Sequence, residues 1–131
     1  MAEDIYRELI LDHYKHPSNF GHLALRNGKA RDQNSNCGDS VDFEVLVKEG
    51  KLVDVAFTGI GCAICIASAS LLTEAVKGRS LQDVMALGET DILANLGIKD
   101  LTPERMKCAM LPLKVLKMAL INSRAALPEQ A

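Results

Sequence analysis

The stretch VDVAFTGIGCAICIASASLLTEAVKG, residues 53–78, changes its pattern of apolar residues in the middle. In its first part, Val55 and Phe57 alternate with polar or small residues, as in a strand with one buried face. From Cys62 onward the sequence is rich in alanine and apolar nearly all round, which is typical of a central helix. The two patterns meet at TGIG, residues 58–61, so Cys62 is predicted to lie where a strand passes into a helix.

Outward from this junction, the periodicity predicts a β-hairpin and further helices. In SVDFEVLVKEGKLVDVAFTG, residues 40–59, apolar residues alternate on both sides of a KEGK turn, which predicts two paired strands. The polar segment 28–40 is predicted to begin as a strand and to run into a loop. Helices are predicted over residues 3–15, 62–78, 80–87 and 89–97, and within 103–126. This order predicts an α+β fold with several helices packed against one face of a small antiparallel sheet.

Two of the predicted helices carry further signals in the sequence. Ser80 is predicted to be an N-cap, with Asp83 three residues later. Pro112 lies inside the last helical pattern, so either the regular helix begins near residue 109 or it is kinked at the proline. Both alternatives place Cys108 near the start of that helix.

The composition favours one domain, predicted over residues 1–131. Nearly half of the residues are apolar (48%), which is enough for a packed core and argues against disorder. The chain has no Trp, two Tyr and three Phe, so the core must be mainly aliphatic.

Charge and length exclude two classes of partner. The formal net charge is −2 with no long run of one sign, which argues against nucleic acid. The apolar run 60–72 is shorter than the about 20 residues that cross a bilayer, so no membrane is expected. The N-terminus, MAEDIYRELI, lacks the pattern of a signal peptide, which predicts a cytoplasmic protein. In that compartment, cysteines more often act as thiolates or metal ligands than in disulfides.

Three of the four cysteines are predicted to lie at the ends of structural elements. A cysteine is often only a small apolar core residue, but Cys37 lies in the polar loop NSNCGDS. Cys62 and Cys108 are predicted near helix starts, where exposed N–H groups favour a thiolate, and Lys107 and Arg105 add positive charge beside Cys108. Asp39 adds a carboxylate two residues after Cys37, able to point the same way along an extended segment.

Cys65 forms a Cys-x-x-Cys pair with Cys62. The two cysteines could face each other on the first turn of the helix and form a redox dithiol. Such dithiols usually occur in a βαβ unit, which this sequence does not indicate. A zinc knuckle would need a second cysteine pair, which Cys37 and Cys108 do not form. The preferred interpretation of Cys65 is a packing residue of the helix.

The three histidines all lie in the first 22 residues. His13 and His16 are one helical turn apart and could hold a metal, but a solvated helix end is the preferred interpretation. His22 follows the helix, and no histidine is next to Cys108.

Four motifs together resemble the IscU/NifU/SufU group of iron–sulfur cluster assembly proteins. They are LDHYKHPSNFG (11–21), NCGD (36–39), GIGCAICIASASLLTEAVKG (59–78) and KC (107–108) before an aliphatic helix. Each motif alone would be weak, but the combination is specific and the resemblance covers roughly residues 4 to 121. It implies a small α+β fold with three antiparallel strands.

The resemblance also implies a site and a function. The site consists of Cys37, Asp39, Cys62 and Cys108, with Cys108 as the first acceptor of sulfur and Lys107 and Cys65 beside it. In this family such a site receives sulfur from a cysteine desulfurase and iron from a donor, assembles a 2Fe–2S or 4Fe–4S cluster, and passes it to apo-proteins. Zinc can take the place of the cluster. Whether two copies of the chain form a homodimer around the cluster is left open.

Two departures from the family pattern bear on the function. Proteins of the IscU type carry His before the last cysteine, whereas Lys107 is typical of SufU proteins, which act mainly as zinc-bearing sulfur acceptors. SufU proteins, however, have a long insertion between the second and third ligand cysteines, and this chain has the shorter IscU-like spacing. The segment LTPER, residues 101–105, replaces the Leu-Pro-Pro-Val-Lys by which an Hsp70-type chaperone recognises relatives.

Three functions therefore compete at this point. The first is a cluster scaffold without turnover of its own, and it is the preferred one. The second is a zinc-binding sulfur acceptor that stimulates a cysteine desulfurase. The third is a redox dithiol formed by Cys62 and Cys65.

Overall fold

A computed structural model describes residues 2–35 and 38–126, with side chains for 5–35 and 38–123. Over these residues the chain forms five helices and one three-stranded antiparallel sheet. The elements are α1 (Ala2–Lys15), β1 (Gly28–Asn34), β2 (Asp39–Lys48), β3 (Lys51–Ile60), α2 (Ala63–Val76), α3 (Leu81–Met85), α4 (Glu89–Leu96) and α5 (Pro103–Ala126). The α+β class, the order of elements and the small antiparallel sheet are as predicted.

The strands follow one another in the sheet as β1-β2-β3. The predicted hairpin is confirmed: β2 pairs with β3 with Phe43 opposite Phe57 and Val45 opposite Val55. The turn between them has Glu49 and Gly50 at positive φ (51° and 74°), which matches the twist of tight antiparallel hairpins.

The apolar face of the sheet is covered by α2 and α5. The alternating residues of β2 point into this layer, and Val41, Phe43 and Val45 are fully buried. Helix α5 approaches β1 so closely that a Cβ on Gly28 would lie 2.5 Å from the carbonyl oxygen of Ala119. A residue without a side chain is therefore required at this crossing.

The opposite face of the sheet is partly covered by the segment between α1 and β1. The carboxylate of Glu44, which the alternation puts on this face, is 2.6 Å from His22 Nδ1 and accepts the Leu23 N–H at 2.8 Å, with Arg26 at 3.6 Å. Burial raises the pKa of Glu44, but the hydrogen bonds from His22 and Leu23 and the charge of Arg26 outweigh this effect and hold that pKa below its ordinary value. This interaction fixes the segment 20–27 on the sheet.

The prediction of a solvated helix end was wrong for His13. Its ring is buried between α1 and α2, and Nδ1 lies 2.6 Å from the hydroxyl of Ser70. The same hydroxyl accepts the backbone N–H of Ser18 at 2.7 Å. His16 is exposed, as predicted, so the two histidines do not share a site.

The predicted helix bounds agree with the structure to within a few residues, with one exception. Ser80 caps α3 as predicted, because its hydroxyl accepts the N–H of Asp83 at 3.1 Å. Helix α5 begins at Pro103 and continues through Pro112, so the alternative of a start near residue 109 was wrong. Cys108 consequently lies in the second turn of α5 rather than at its start. None of the described helices is long and apolar enough to cross a bilayer.

Helix α5 offers a direct test of the packing. Leu120 is fully buried in the core, whereas its neighbour Ile121 is 51% exposed. Truncation of Leu120 to Ala should lower the free energy of unfolding by about 2–5 kcal/mol, because it leaves a cavity in an aliphatic core. Ile121→Ala is the matched control and should change it by less than about 0.5 kcal/mol. Urea unfolding of the two variants measures both values, and equal losses would contradict the packing described.

Candidate metal centre

Three of the predicted site residues meet although they are far apart in the sequence. Asp39, Cys62 and Cys108 each offer one ligand atom, and these atoms lie within 4.8 Å of one another. Asp39 is the first residue of β2, Cys62 precedes α2 as its N-cap, and Cys108 is in α5. We call these three residues the ligand group. It lies where the strand end, the start of the central helix and the last helix converge.

The hairpin register explains how Asp39 reaches Cys62. Ser40 pairs with Ile60, so Asp39 and Gly61 are adjacent at the end of the β2–β3 ladder. A Cβ on Gly61 would lie 2.6 Å from the Oδ1 atom of Asp39. The carboxylate of Asp39 thus occupies the space that any side chain at residue 61 would need.

Among the described residues, one oxygen of the Asp39 carboxylate has a hydrogen-bond partner and the other has none. Its Oδ1 accepts the backbone N–H of Cys62 at 3.0 Å. Its Oδ2 is buried and has no hydrogen-bond partner among the residues that the structure describes. A buried carboxylate oxygen without a partner is costly, and a bound cation is one of the few groups that would compensate it.

The composition of the ligand group suits metals of intermediate softness. Two thiolates and one carboxylate within 4.8 Å match the ligands used for zinc and for iron–sulfur clusters. Calcium and magnesium prefer shells made of oxygen alone. The donor atoms and the uncompensated Oδ2 therefore fit a zinc ion or the iron atoms of a cluster.

The other predicted site residues have different positions. Cys37 lies outside the described residues. Cys65 is completely buried in α2 and belongs to the hydrophobic core rather than to the ligand group. Lys107 and Arg105 are exposed. Cys108 is only 2% exposed, because α5 packs its Cys108 face against the core.

Lys107, which precedes Cys108 in the sequence, borders a groove. The groove has a volume of about 580 Å³ and runs between residues 33–35, at and just after the end of β1, and α5. Lys114 and Lys117 also line it. Lys114 is paired with Asp32 at 2.8 Å, and Lys117 donates to the carbonyl of Leu87 at 2.5 Å. Three lysines therefore give this groove a basic lining.

Comparison with known proteins agrees with this architecture. The sequence profile of the NifU-like N terminal domain matches residues 5–127. The chain is 38% identical over 117 residues to the iron-sulfur cluster assembly scaffold protein IscU of Aquifex aeolicus, covering 88% of this chain and 73% of that protein. It is 34% identical over 124 residues to IscU of Escherichia coli K12, covering 92% and 94% of the two chains.

A solved structure shows the same likeness in three dimensions. It is that of a protein assigned as an iron-sulfur cluster assembly scaffold for the SUF system from Fervidobacterium islandicum, with a TM-score of 0.73 and 31% identity. The alignment covers 90% of this chain and 98% of that one. The chain belongs to the NifU-like N-terminal domain family, which includes the IscU-type scaffolds.

Sequence reasoning missed the role of Gly61. The signal was present in TGIG, where a second glycine directly precedes a candidate ligand. Glycine at such a place indicates close approach of another group. The group that approaches is the Asp39 side chain, which comes from another strand and is therefore invisible in the local pattern.

Gly61→Ala should displace the Asp39 carboxylate and weaken metal binding at the ligand group. We expect the zinc affinity of the purified protein to fall about 10–100-fold, as for the loss of other groups that orient metal ligands. Gly88→Ala is the control, because a Cβ there meets nothing within 4 Å and the backbone is extended (φ −144°). Competition with a chromophoric chelator measures the affinities. An unchanged zinc affinity in Gly61→Ala would show that the carboxylate position is unimportant.

Proposed function

We propose that this chain is an iron–sulfur cluster assembly scaffold. It accepts sulfur from a cysteine desulfurase, binds iron, builds a 2Fe–2S or 4Fe–4S cluster and passes the cluster to apo-proteins. The observation that carries this proposal is that ligand atoms of Asp39, Cys62 and Cys108 converge, and that one buried carboxylate oxygen of Asp39 has no hydrogen-bond partner among the described residues. The names of the IscU relatives support it.

The mixture of donor atoms suits a cluster that must be released. Clusters retained for electron transfer are usually held by four thiolates. Asp39 supplies a carboxylate, which is a harder ligand and binds iron less firmly than a thiolate does. Cys37, two residues before Asp39 in the sequence, is proposed as the third thiolate. The cluster is thus bound by three strong ligands and one weak ligand.

Sulfur transfer is proposed to take place at Cys108. The Cys108 thiolate attacks the terminal sulfur of the desulfurase persulfide, the S–S bond of the donor breaks, and the donor cysteine leaves as a thiolate. Cys108 then carries the persulfide, and an external reductant supplies the two electrons that release its outer sulfur as the sulfide of the cluster. Because Cys108 is only 2% exposed, the ligand group must open to admit the donor. Lys107, next to Cys108 in the sequence, borders the groove and is proposed as a supporting residue.

The partners follow from this cycle. They are the cysteine desulfurase, an iron donor and the apo-proteins that receive the cluster, and the cycle takes place in the cytoplasm. A second copy of the chain is proposed to complete the shell around a cluster in a homodimer. The protein acts as a scaffold and has no catalytic turnover of its own.

A zinc-binding sulfur acceptor that stimulates a desulfurase is the second candidate function. Lys107, in place of the histidine of IscU-type proteins, favours it, and the same donor atoms suit zinc. Anaerobic reconstitution with iron and sulfide separates the two functions. A scaffold becomes brown, with visible absorbance and stoichiometric iron and sulfide. A colourless protein that retains zinc and only accelerates the desulfurase would overturn the scaffold proposal.

The two cysteines of the Cys-x-x-Cys pair should behave differently in this reconstitution. Cys62→Ser should abolish cluster assembly, because it removes a soft ligand that a hydroxyl does not replace. Cys65→Ser should retain most of the cluster, because this side chain is buried in the core outside the ligand group. The measurement is iron and sulfide per chain in both variants and in the double mutant. Equal loss in both single variants would refute this assignment and favour the redox dithiol.

Asp39→Ala should lengthen the lifetime of a bound cluster. The Asp39 carboxylate is the weakly bound ligand, and we expect its replacement by water or by a ligand of an acceptor protein to begin cluster release. The variant lacks this starting point. The decay of visible absorbance in air and the rate of transfer to an apo-ferredoxin measure this lifetime. These are rates of release, and they differ from the equilibrium affinity for a single zinc ion, which the loss of any ligand lowers. Faster decay in the variant would mean that Asp39 protects the cluster.

A further inference from the structure

Ser68 makes an unusual hydrogen bond from the middle of α2. A serine hydroxyl inside a helix usually donates to the carbonyl three or four residues earlier in the same helix. Ser123 in α5 does so, donating to Leu120 at 2.6 Å. The hydroxyl of Ser68 instead crosses to α5 and donates to the carbonyl of Ala109 at 2.7 Å. Ser68 is 1% exposed, so this bond is shielded from water.

The acceptor of this bond is the residue directly after Cys108. In a regular helix, the carbonyl of Cys108 would accept the N–H of residue 112, but residue 112 is a proline and has none. The proline ring also crowds that carbonyl. Pro112 therefore interrupts the regular series of backbone hydrogen bonds in this part of α5. The bond from Ser68 fixes the neighbouring peptide from outside.

Helix α2 connects this contact to the rest of the ligand group. Cys62 is the N-cap of α2, and Ser68 follows six residues later, about 9 Å along the helix. The N–H of Cys62 in turn binds Asp39. A rigid path thus runs from Asp39 through Cys62 and α2 to Ser68, and from there to the backbone beside Cys108.

We propose that Ser68 is a positioning residue that sets the place of Cys108 relative to Cys62 and Asp39 through the carbonyl of Ala109. The role rests on the proposed function only in that the ligand group binds metal. Ser68 itself has no part in binding the metal or in accepting sulfur. Its effect should therefore appear in the geometry and affinity of the metal site, beyond any effect on stability.

Cobalt(II) titration of the anaerobic apo-protein tests this role, because the thiolate-to-cobalt absorbance reports the sulfur ligands directly. Ser68→Ala should lower the cobalt affinity about tenfold, comparable with the loss of other groups that orient ligands, and should reduce the thiolate band per bound cobalt. Ser123→Ala removes an equally buried hydroxyl that bonds within its own helix, and should keep both values within about threefold of the wild type. Ser68→Thr retains the donor and should restore the band.

The outcomes separate this inference from the proposed function. If Ser68→Ala and Ser123→Ala lower the melting temperature alike and neither changes the cobalt spectrum, Ser68 is only structural and the inference fails. The inference also fails if Ser68→Thr loses the thiolate band as Ser68→Ala does, since the hydroxyl group would then not be what positions Cys108. A wild-type protein that binds cobalt through thiolates but does not become brown with iron and sulfide would refute the scaffold and leave the role of Ser68 intact.

Discussion

The hydrogen bond from the Cys62 N–H to the Asp39 carboxylate joins the first residue of β2 to the start of α2. It requires the absence of a side chain at Gly61 and the register that brings the ends of β2 and β3 together. It also leaves the second carboxylate oxygen of Asp39 buried without a described partner. The hairpin, the central helix and the metal centre therefore meet at this contact, and a change in the hairpin register would separate Asp39 from Cys62.

Much of the fold could be predicted because it is encoded locally. The change of period at Cys62, the alternation in the hairpin and the cap at Ser80 each depend on residues close in the sequence. The burial of His13 and Glu44 could not be predicted in the same way. Their partners lie 57 and 22 residues away, at Ser70 and His22, and no local pattern indicates that these segments meet.

The candidate site could be predicted only in part, because local patterns indicate the ends of elements but not how whole helices pack. Asp39, Cys62 and Cys108 were proposed from their positions near element ends and from the family resemblance, and the structure brings their ligand atoms together. Of the two alternatives for the last helix, a start near residue 109 was wrong, because α5 begins at Pro103 and continues through Pro112, which places Cys108 in its second turn. The burial of this thiol follows from packing of the whole helix, which a proline signal does not reveal.

The contact between Gly28 and α5 restricts how the sequence can vary far from the metal centre. Ala119 lies eleven residues after Cys108 on the same helix, about 16 Å along its axis, with Pro112 between them. Because a Cβ on Gly28 would lie 2.5 Å from the carbonyl oxygen of Ala119, any side chain at residue 28 would push the C-terminal part of α5 away from β1. A substitution at this remote edge of the sheet would therefore loosen the packing of the helix that carries Cys108.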